Sequence, residues 1–425
     1  MKIRCFFGQT GNRMSNIFNY AFESFVSMWR LGFFFHEMAF GLLSVFLPLY
    51  IVSSLNGSLL DIGILSATAL LSAIPASFFW GYICDKTRRY KRYILISFLA
   101  SAVFLYLFTF TANVAMLIIL YGVMSIFHMA HESPKNVLIS ELYSRENWKK
   151  TFAIYEGFTE VGWLVGLVLG FVMSAYSLTA TSELLFCGVL NLFAFVLSIF
   201  LVADPILIFE RRLVGIEDTI EFASRGISVA SRMLDGFSTD VKLKRENLYA
   251  FAGGLILFSV ATSMLFTPLP IFFSQAPLGL PLSIIFVVYA LNSTGGILGY
   301  MLISRSSAQE REKPPISRIA IFRGLLAFLL ISALEAPTYN VVLAVTILVL
   351  MSFAYSFFMV YTLSMSMELV PAGKAGLFNV LIGIGSASGS FIGPFLAETT
   401  LGFTGVFVIT GFVFLLSYVS FKIFA

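Results

Sequence analysis

The sequence predicts an all-α membrane protein with twelve transmembrane helices arranged as two six-helix bundles. Three observations lead there: twelve long apolar segments fill the chain, Lys and Arg gather at its ends and in alternate connections, and one long polar stretch divides the segments six and six. Composition agrees. Of 425 residues, 58 % are apolar, 16 % aromatic and 12 % charged, far from the balance of a water-soluble domain.

The apolar segments run over 31–53, 62–83, 93–111, 113–140, 149–175, 184–203, 249–273, 282–304, 316–334, 338–363, 374–396 and 402–423. Each is long enough for about 30 Å of hydrocarbon at about 1.5 Å per residue. Basic connections are retained inside while uncharged ones cross, so both termini are expected on the cytoplasmic side of a cell membrane. The parts are then a cytoplasmic segment over 1–30, an N-terminal bundle over 31–203, a cytoplasmic linker over 204–248 and a C-terminal bundle over 249–425. Lys2 and Arg4 are followed by Gln9, Asn12, Arg13 and Asn16, so the first span, with no cleaved signal peptide before it, is expected to act as its own insertion signal. The net charge of +4 sits in short connections, which fixes topology and gives no nucleic-acid-binding face. Cys5, Cys84 and Cys187 show neither a paired framework nor metal-ligand spacing.

Within the linker, Ile216, Ile220, Ala223, Ile227, Ala230 and Leu234 recur at helical spacing, with Glu217, Asp218, Glu221, Arg225 and Arg232 on other faces. That pattern predicts an amphipathic helix on the inner membrane surface. The two halves also resemble each other: aligning Glu141-Leu142 with Glu368-Leu369 brings Gly162 onto Gly389 and Gly166 onto Gly393 without a gap, the trace of an internal duplication.

Between the second and third spans the chain reads Gly81-Tyr82-Ile83-Cys84-Asp85-Lys86-Thr87-Arg88-Arg89-Tyr90-Lys91-Arg92. Gly81 allows close helix packing, and Asp85 can accept hydrogen bonds at the positive N-terminus of a neighbouring helix. In Gly81, Asp85, Lys86 and Arg89 this stretch resembles the signature loop of the major facilitator superfamily, G-x-x-x-D-[RK]-x-G-[RK]-[RK]. Arg88 stands where that family has Gly, and Tyr90 where it has a base. The resemblance implies a twelve-helix transporter working by alternating access, with Asp85 latching an inner gate against the eleventh span near Pro371-Ala372-Gly373-Lys374. The equivalent stretch of the second half, from Gly299 to Arg305, keeps the glycine and loses the acid.

Gly162, Gly166 and Gly170 on the fifth span, and Gly385, Gly389, Gly393 and Pro394 on the eleventh, place small residues every fourth position. Such stripes let backbones approach closely and are expected where the two bundles rock against each other.

The fourth span carries His128, His131, Glu132 and Lys135 at i, i+3, i+4 and i+7, on one face of a continuous helix. Polar groups at that depth are costly in lipid, so the face turns inward. Treating the fourth and fifth spans as a hairpin sets Lys135 against Glu156 and His131 against Glu160, and the first span adds His36 and Glu37. In the family, the first and fourth spans line the central cavity. Three readings fit the cluster: a buried structural network, a proton-coupling site in which acids and imidazoles exchange protons, and a divalent-metal site. Lys135 on the same face opposes a cation, so no metal is expected. The second half offers no matching cluster; its cavity candidates are Thr262, Ser263 and Thr267, then Tyr289, Asn292 and Ser293, then Tyr355, Tyr361 and Ser364. Aromatic rings with a few hydroxyl and amide groups suit a small neutral or amphipathic organic ligand. Arg323 is expected to snorkel to the cytoplasmic surface.

The expectation is therefore a monomeric secondary transporter in a lipid bilayer, moving a small organic solute with protons as coupling ion and without a cofactor. The alternatives are a divalent-metal transporter using the His/Glu cluster and a non-transporting sensor or scaffold on the same fold. An enzyme is not expected, since neither H-E-x-x-H nor G-x-S-x-G occurs.

Overall fold

A computed structural model describes residues 28–142, 148–204, 248–275, 278–305, 316–335, 340–369 and 376–424. Twelve helices among them are long and apolar enough to cross a membrane: Arg30–Ser53, Leu59–Thr87, Tyr90–Phe108, Val114–Ile139, Lys150–Ala175, Ala180–Leu201, Tyr249–Ser274, Leu282–Arg305, Ile316–Leu334, Val341–Leu363, Phe378–Glu398 and Gly402–Phe424. They are called here the first to the twelfth span. The amphipathic linker helix expected over 216–234 and most of the N-terminal segment lie outside the described residues.

Packing repeats under a shift of six spans. In the first half the first span packs on the fifth and sixth, the third on the fourth and sixth, and the second on the fourth. In the second half the seventh packs on the eleventh and twelfth, the ninth on the tenth and twelfth, and the eighth on the tenth. Two extensive seams join the halves, fifth to eighth and second to eleventh, and these also exchange under the same shift. The duplication read from the glycines is thus a property of the whole helix arrangement.

The glycine stripes mediate a different contact from the one expected. A side chain at Gly162 or Gly166 would run into the carbonyl oxygens of Phe34 and Met38 in the first span, and one at Gly389 or Gly393 into those of Val260 and Met264 in the seventh. Both stripes therefore seal helices inside a bundle, where backbone meets backbone. Only Gly170 and Gly157 of the fifth span face the other half, against Phe286 and Tyr300 of the eighth. Pro394 lies on the second-to-eleventh seam, beside Gly63.

The second span is longer than its apolar stretch because both ends are capped. Ser58 and Asp61 form a reciprocal capping box, the Ser58 amide donating to Asp61 Oδ2 at 2.8 Å and the Asp61 amide to Ser58 Oγ at 3.1 Å. At the other end Arg88 turns the chain with φ 53° and donates its amide to the Cys84 carbonyl at 2.8 Å. Asp85 and Lys86 thus belong to the last helical turn, not to a loop, and Arg88 fills a left-handed position that favours glycine. Cys84 and Cys187 are buried free thiols.

The fourth span is not one continuous α-helix. It runs as α-helix over Val114–His128, tightens into a 3-10 turn at Met129–His131 and resumes over Glu132–Leu142. Pro134 explains the break: it has no amide hydrogen to offer the Ala130 carbonyl, and its ring crowds that oxygen. The Glu132 amide bonds the Met129 carbonyl instead, which frees the His128 carbonyl.

Candidate functional site

The break in the fourth span organises the polar centre of the N-terminal bundle. Ser97 Oγ of the third span donates to the freed His128 carbonyl at 3.0 Å and lies 2.9 Å from His131 Nδ1. From the first span His36 reaches His128, Nε2 to Nδ1 at 3.2 Å, while its Nδ1 lies 2.6 Å from Asn191 Oδ1 of the sixth. Asn191 donates its own Nδ2 to the Cys187 carbonyl at 3.0 Å. All three histidines of the chain therefore meet, with His36 and His131 0 % and 1 % exposed. Phe33, Phe40 and Phe98 pack against their rings.

The charged groups pair differently from the hairpin expectation. Lys135 Nζ lies 2.7 Å from Glu132 Oε2, and the other oxygen of Glu132 is 3.3 Å from His131 Nε2. Neither Lys135 to Glu156 nor His131 to Glu160 forms an ion pair among the described residues. The reason is topological: the fifth span leans on the first and eighth spans rather than on the fourth. Lys135 still feels the charges of Glu156 and Glu37, and its ammonium sits 5.4 Å from the centre of the Tyr155 ring. Three carboxyl groups, Glu37, Glu132 and Glu156, thus act on one ammonium, and Glu160 lies beyond them, near Glu37 and Glu156. All four are half-buried.

Glu160 faces the other half. Ser293 Oγ of the eighth span donates to Glu160 Oε1 at 2.6 Å, across the fifth-to-eighth seam. Also in the eighth span, the buried hydroxyl of Tyr289 and amide oxygen of Asn292 have no hydrogen-bond partner among the described residues. Tyr355 of the tenth span also feels the charges of Glu156 and Glu160, and its ring lies 5.2 Å from the Arg323 guanidinium carbon. Tyr361 is half-buried within the core. Thr262 bonds the Phe258 carbonyl and Thr267 bonds Ser390 Oγ of the eleventh span; the Ser364 side chain lies outside the described residues.

Arg323 does not snorkel. It is 1 % exposed, with its guanidinium carbon 5.0 Å from the ring centres of both Phe258 and Phe414, and Nη1 donating to Thr262 Oγ1 at 2.9 Å. No carboxylate pairs with it among the described residues, so aromatic faces stand in for a counter-ion. Hydropathy does not encode this burial, because the rings that enclose the guanidinium come from the seventh, tenth and twelfth spans. Ser97 and Asn191 were also missed; each is one hydroxyl or amide in an apolar helix, and only the position of its partner gives it a role.

At the basic end, Gly81 packs beside Ser133, Lys86 Nζ stands 5.7 Å from the Tyr82 ring centre, and Asp85 and Arg89 are exposed. The eleventh-span segment expected to receive Asp85 lies outside the described residues. At the opposite end the two halves do meet: the Leu60 amide, in the first turn of the second span, donates to Glu398 Oε1 of the eleventh at 2.9 Å.

Twelve spans, duplicated packing and two seams between the halves are now in place, and a family model of the Major Facilitator Superfamily matches residues 31–394. The chain belongs to the Major Facilitator Superfamily. It is accordingly a multi-pass integral membrane protein of a family of secondary transporters. Among solved structures it is similar to the crystal structure of nucleoside transporter NupG, at 14 % identity over 94 % of this chain and 99 % of that one, with a TM-score of 0.67. A point mutant of the same transporter aligns at 12 % identity over 94 % of this chain and 100 % of that one, with a TM-score of 0.60. At such identities the likeness is one of fold. No curated protein matches the chain in sequence. The three histidines lie within the N-terminal bundle, whereas Glu160 reaches the fifth-to-eighth seam between the bundles.

Proposed function

We propose that this chain moves a small neutral or amphipathic organic solute by alternating access, with protons as the coupling ion carried by Glu160 and Glu156. The observation that carries this reading is the 2.6 Å bond from Ser293 to Glu160, because it joins the charge state of an interior carboxyl to the closure of the seam between the bundles. A carboxylate there gains a hydroxyl donor when the seam is shut, and a protonated carboxyl can leave it at lower cost. Tyr289, one turn from Ser293, and the adjacent Asn292 supply unsatisfied polar groups suited to fixing an organic ligand by sparse contacts. Their aromatic and amide character fits a planar polar solute, and nucleosides, the substrates named for the fold neighbour, head the panel to be tested. On the same reading both termini face the cytoplasm, residues 204–248 link the bundles and the protein works as a monomer.

The test is reconstitution into proteoliposomes with an imposed pH gradient, after a thermal-shift screen of nucleosides and other small metabolites has given a ligand. Accumulation should follow the gradient in the native chain. In Glu160→Gln it should be lost while downhill exchange persists. Accumulation that ignores the gradient would remove the coupling role and leave the cluster as structural.

A further inference from the structure

We propose that His36, His128 and His131 form a resident site for a borderline divalent cation of the Zn2+ class, with Glu132 as fourth ligand. The ligand nitrogens of the three imidazoles lie within 4.8 Å of one another. His36 Nε2 and His128 Nδ1 are 3.2 Å apart, and His131 Nε2 and Glu132 Oε1 are 3.3 Å apart. Tetrahedral bonds of about 2.0–2.1 Å place neighbouring ligand atoms roughly 3.3 Å apart, so both spacings already match edges of such a polyhedron. In the His36–His128 hydrogen bond His36 Nε2 accepts, so His128 Nδ1 carries its hydrogen; with that proton moved to His128 Nε2, small ring rotations would exchange the hydrogen bond for two bonds to a common ion.

The outer partners set the required tautomers. Asn191 spends its amide hydrogen on the Cys187 carbonyl, so its oxygen accepts from His36 Nδ1. Ser97 spends its hydroxyl hydrogen on the His128 carbonyl, so its oxygen accepts from His131 Nδ1. Both histidines are thereby left presenting Nε2, with the other ring nitrogen tied down, which is the arrangement metal-ligating histidines share. Neutral imidazoles with one carboxylate favour Zn2+, Co2+ or Ni2+ over Mg2+ or Ca2+.

The expectation of no metal rested on repulsion from Lys135. In the structure that ammonium is held at 2.7 Å by Glu132 Oε2, which leaves Oε1 turned to the histidines. His128 and Glu132 are half-buried while His36 and His131 are enclosed, so entry is from the His128 side. The ion would tie the first span to the fourth across its 3-10 turn. These elements belong to one bundle, whereas cargo in an alternating-access carrier sits between bundles, so the ion is a resident ligand and not the substrate.

The experiment is calorimetric titration of the full-length chain with zinc chloride, after purification on a tag without histidine; the three ligands are the only histidines in the sequence. One ion per chain is expected, with affinity reduced at least tenfold in His128→Ala. Should that variant fail to fold, the visible spectrum of the native chain titrated with Co2+ decides, since a tetrahedral nitrogen and oxygen site absorbs far more strongly than an octahedral one. Absence of saturable Zn2+ binding, binding undiminished in His128→Ala, or a weak octahedral Co2+ spectrum would each overturn the proposal. Uptake of radioactive zinc into proteoliposomes should be nil; time-dependent uptake would make the metal cargo and overturn the resident role.

Discussion

Ser293 of the eighth span donates a 2.6 Å hydrogen bond to Glu160 of the fifth, so the seam between the two bundles is fastened by a group that can change charge. Ser293→Ala removes the donor and leaves the acceptor in place. It should lower stability by about 1–2 kcal/mol, read as a fall in Tm of the purified protein. A variant as stable as the native chain would mean that the bond contributes nothing at the seam.

Gly166 and Gly393 hold duplicated positions against the carbonyls of Met38 and Met264. Adding one methyl at either forces a backbone apart, so Gly166→Ala and Gly393→Ala should each cost about 1–3 kcal/mol. The two losses in thermal stability should be alike. A large loss from one and none from the other would break the equivalence of the halves at this contact.

Arg88 adopts φ 53° where a left-handed residue ends the second span. Arg88→Gly should remove backbone strain of about 1 kcal/mol, whereas Arg88→Ala, which keeps the strain, should not stabilise. Thermal unfolding of the pair separates the backbone effect from the loss of charge.

Glu398 caps the N-terminus of the second span from the other bundle through the Leu60 amide. Carboxylates at helix N-termini contribute about 0.5 kcal/mol at exposed sites. Glu398→Ala should therefore shift the population open at this end by about twofold, visible as broadened spin-label distances between the second and eleventh spans. An unchanged distance distribution would show that the contact does not bias the cycle.

Much of this protein could be read from sequence because partition into lipid depends on local composition. The twelve spans, the division six and six, the duplication and the inward turn of His128, His131, Glu132 and Lys135 all follow from what each segment contains. So did the membership of His36 and Glu37, since a polar group in an apolar helix must find others. The break before Glu132 is also encoded locally, by Pro134, whose missing amide hydrogen interrupts an otherwise continuous face.

The sequence by itself determined which residues are withdrawn from lipid; only the tertiary structure decided which of them touch. Lys135 bonds Glu132 and not Glu156 because the fifth span packs on the first and eighth, a choice made by contacts far apart in the chain. The glycine stripes close helices within bundles for the same reason, and Arg323 is enclosed by rings drawn from the seventh, tenth and twelfth spans. Hydropathy ranks a helix by its own side chains. Its tilt, its neighbours and the meeting of three histidines arise from the packing of all the helices together, which no single segment encodes.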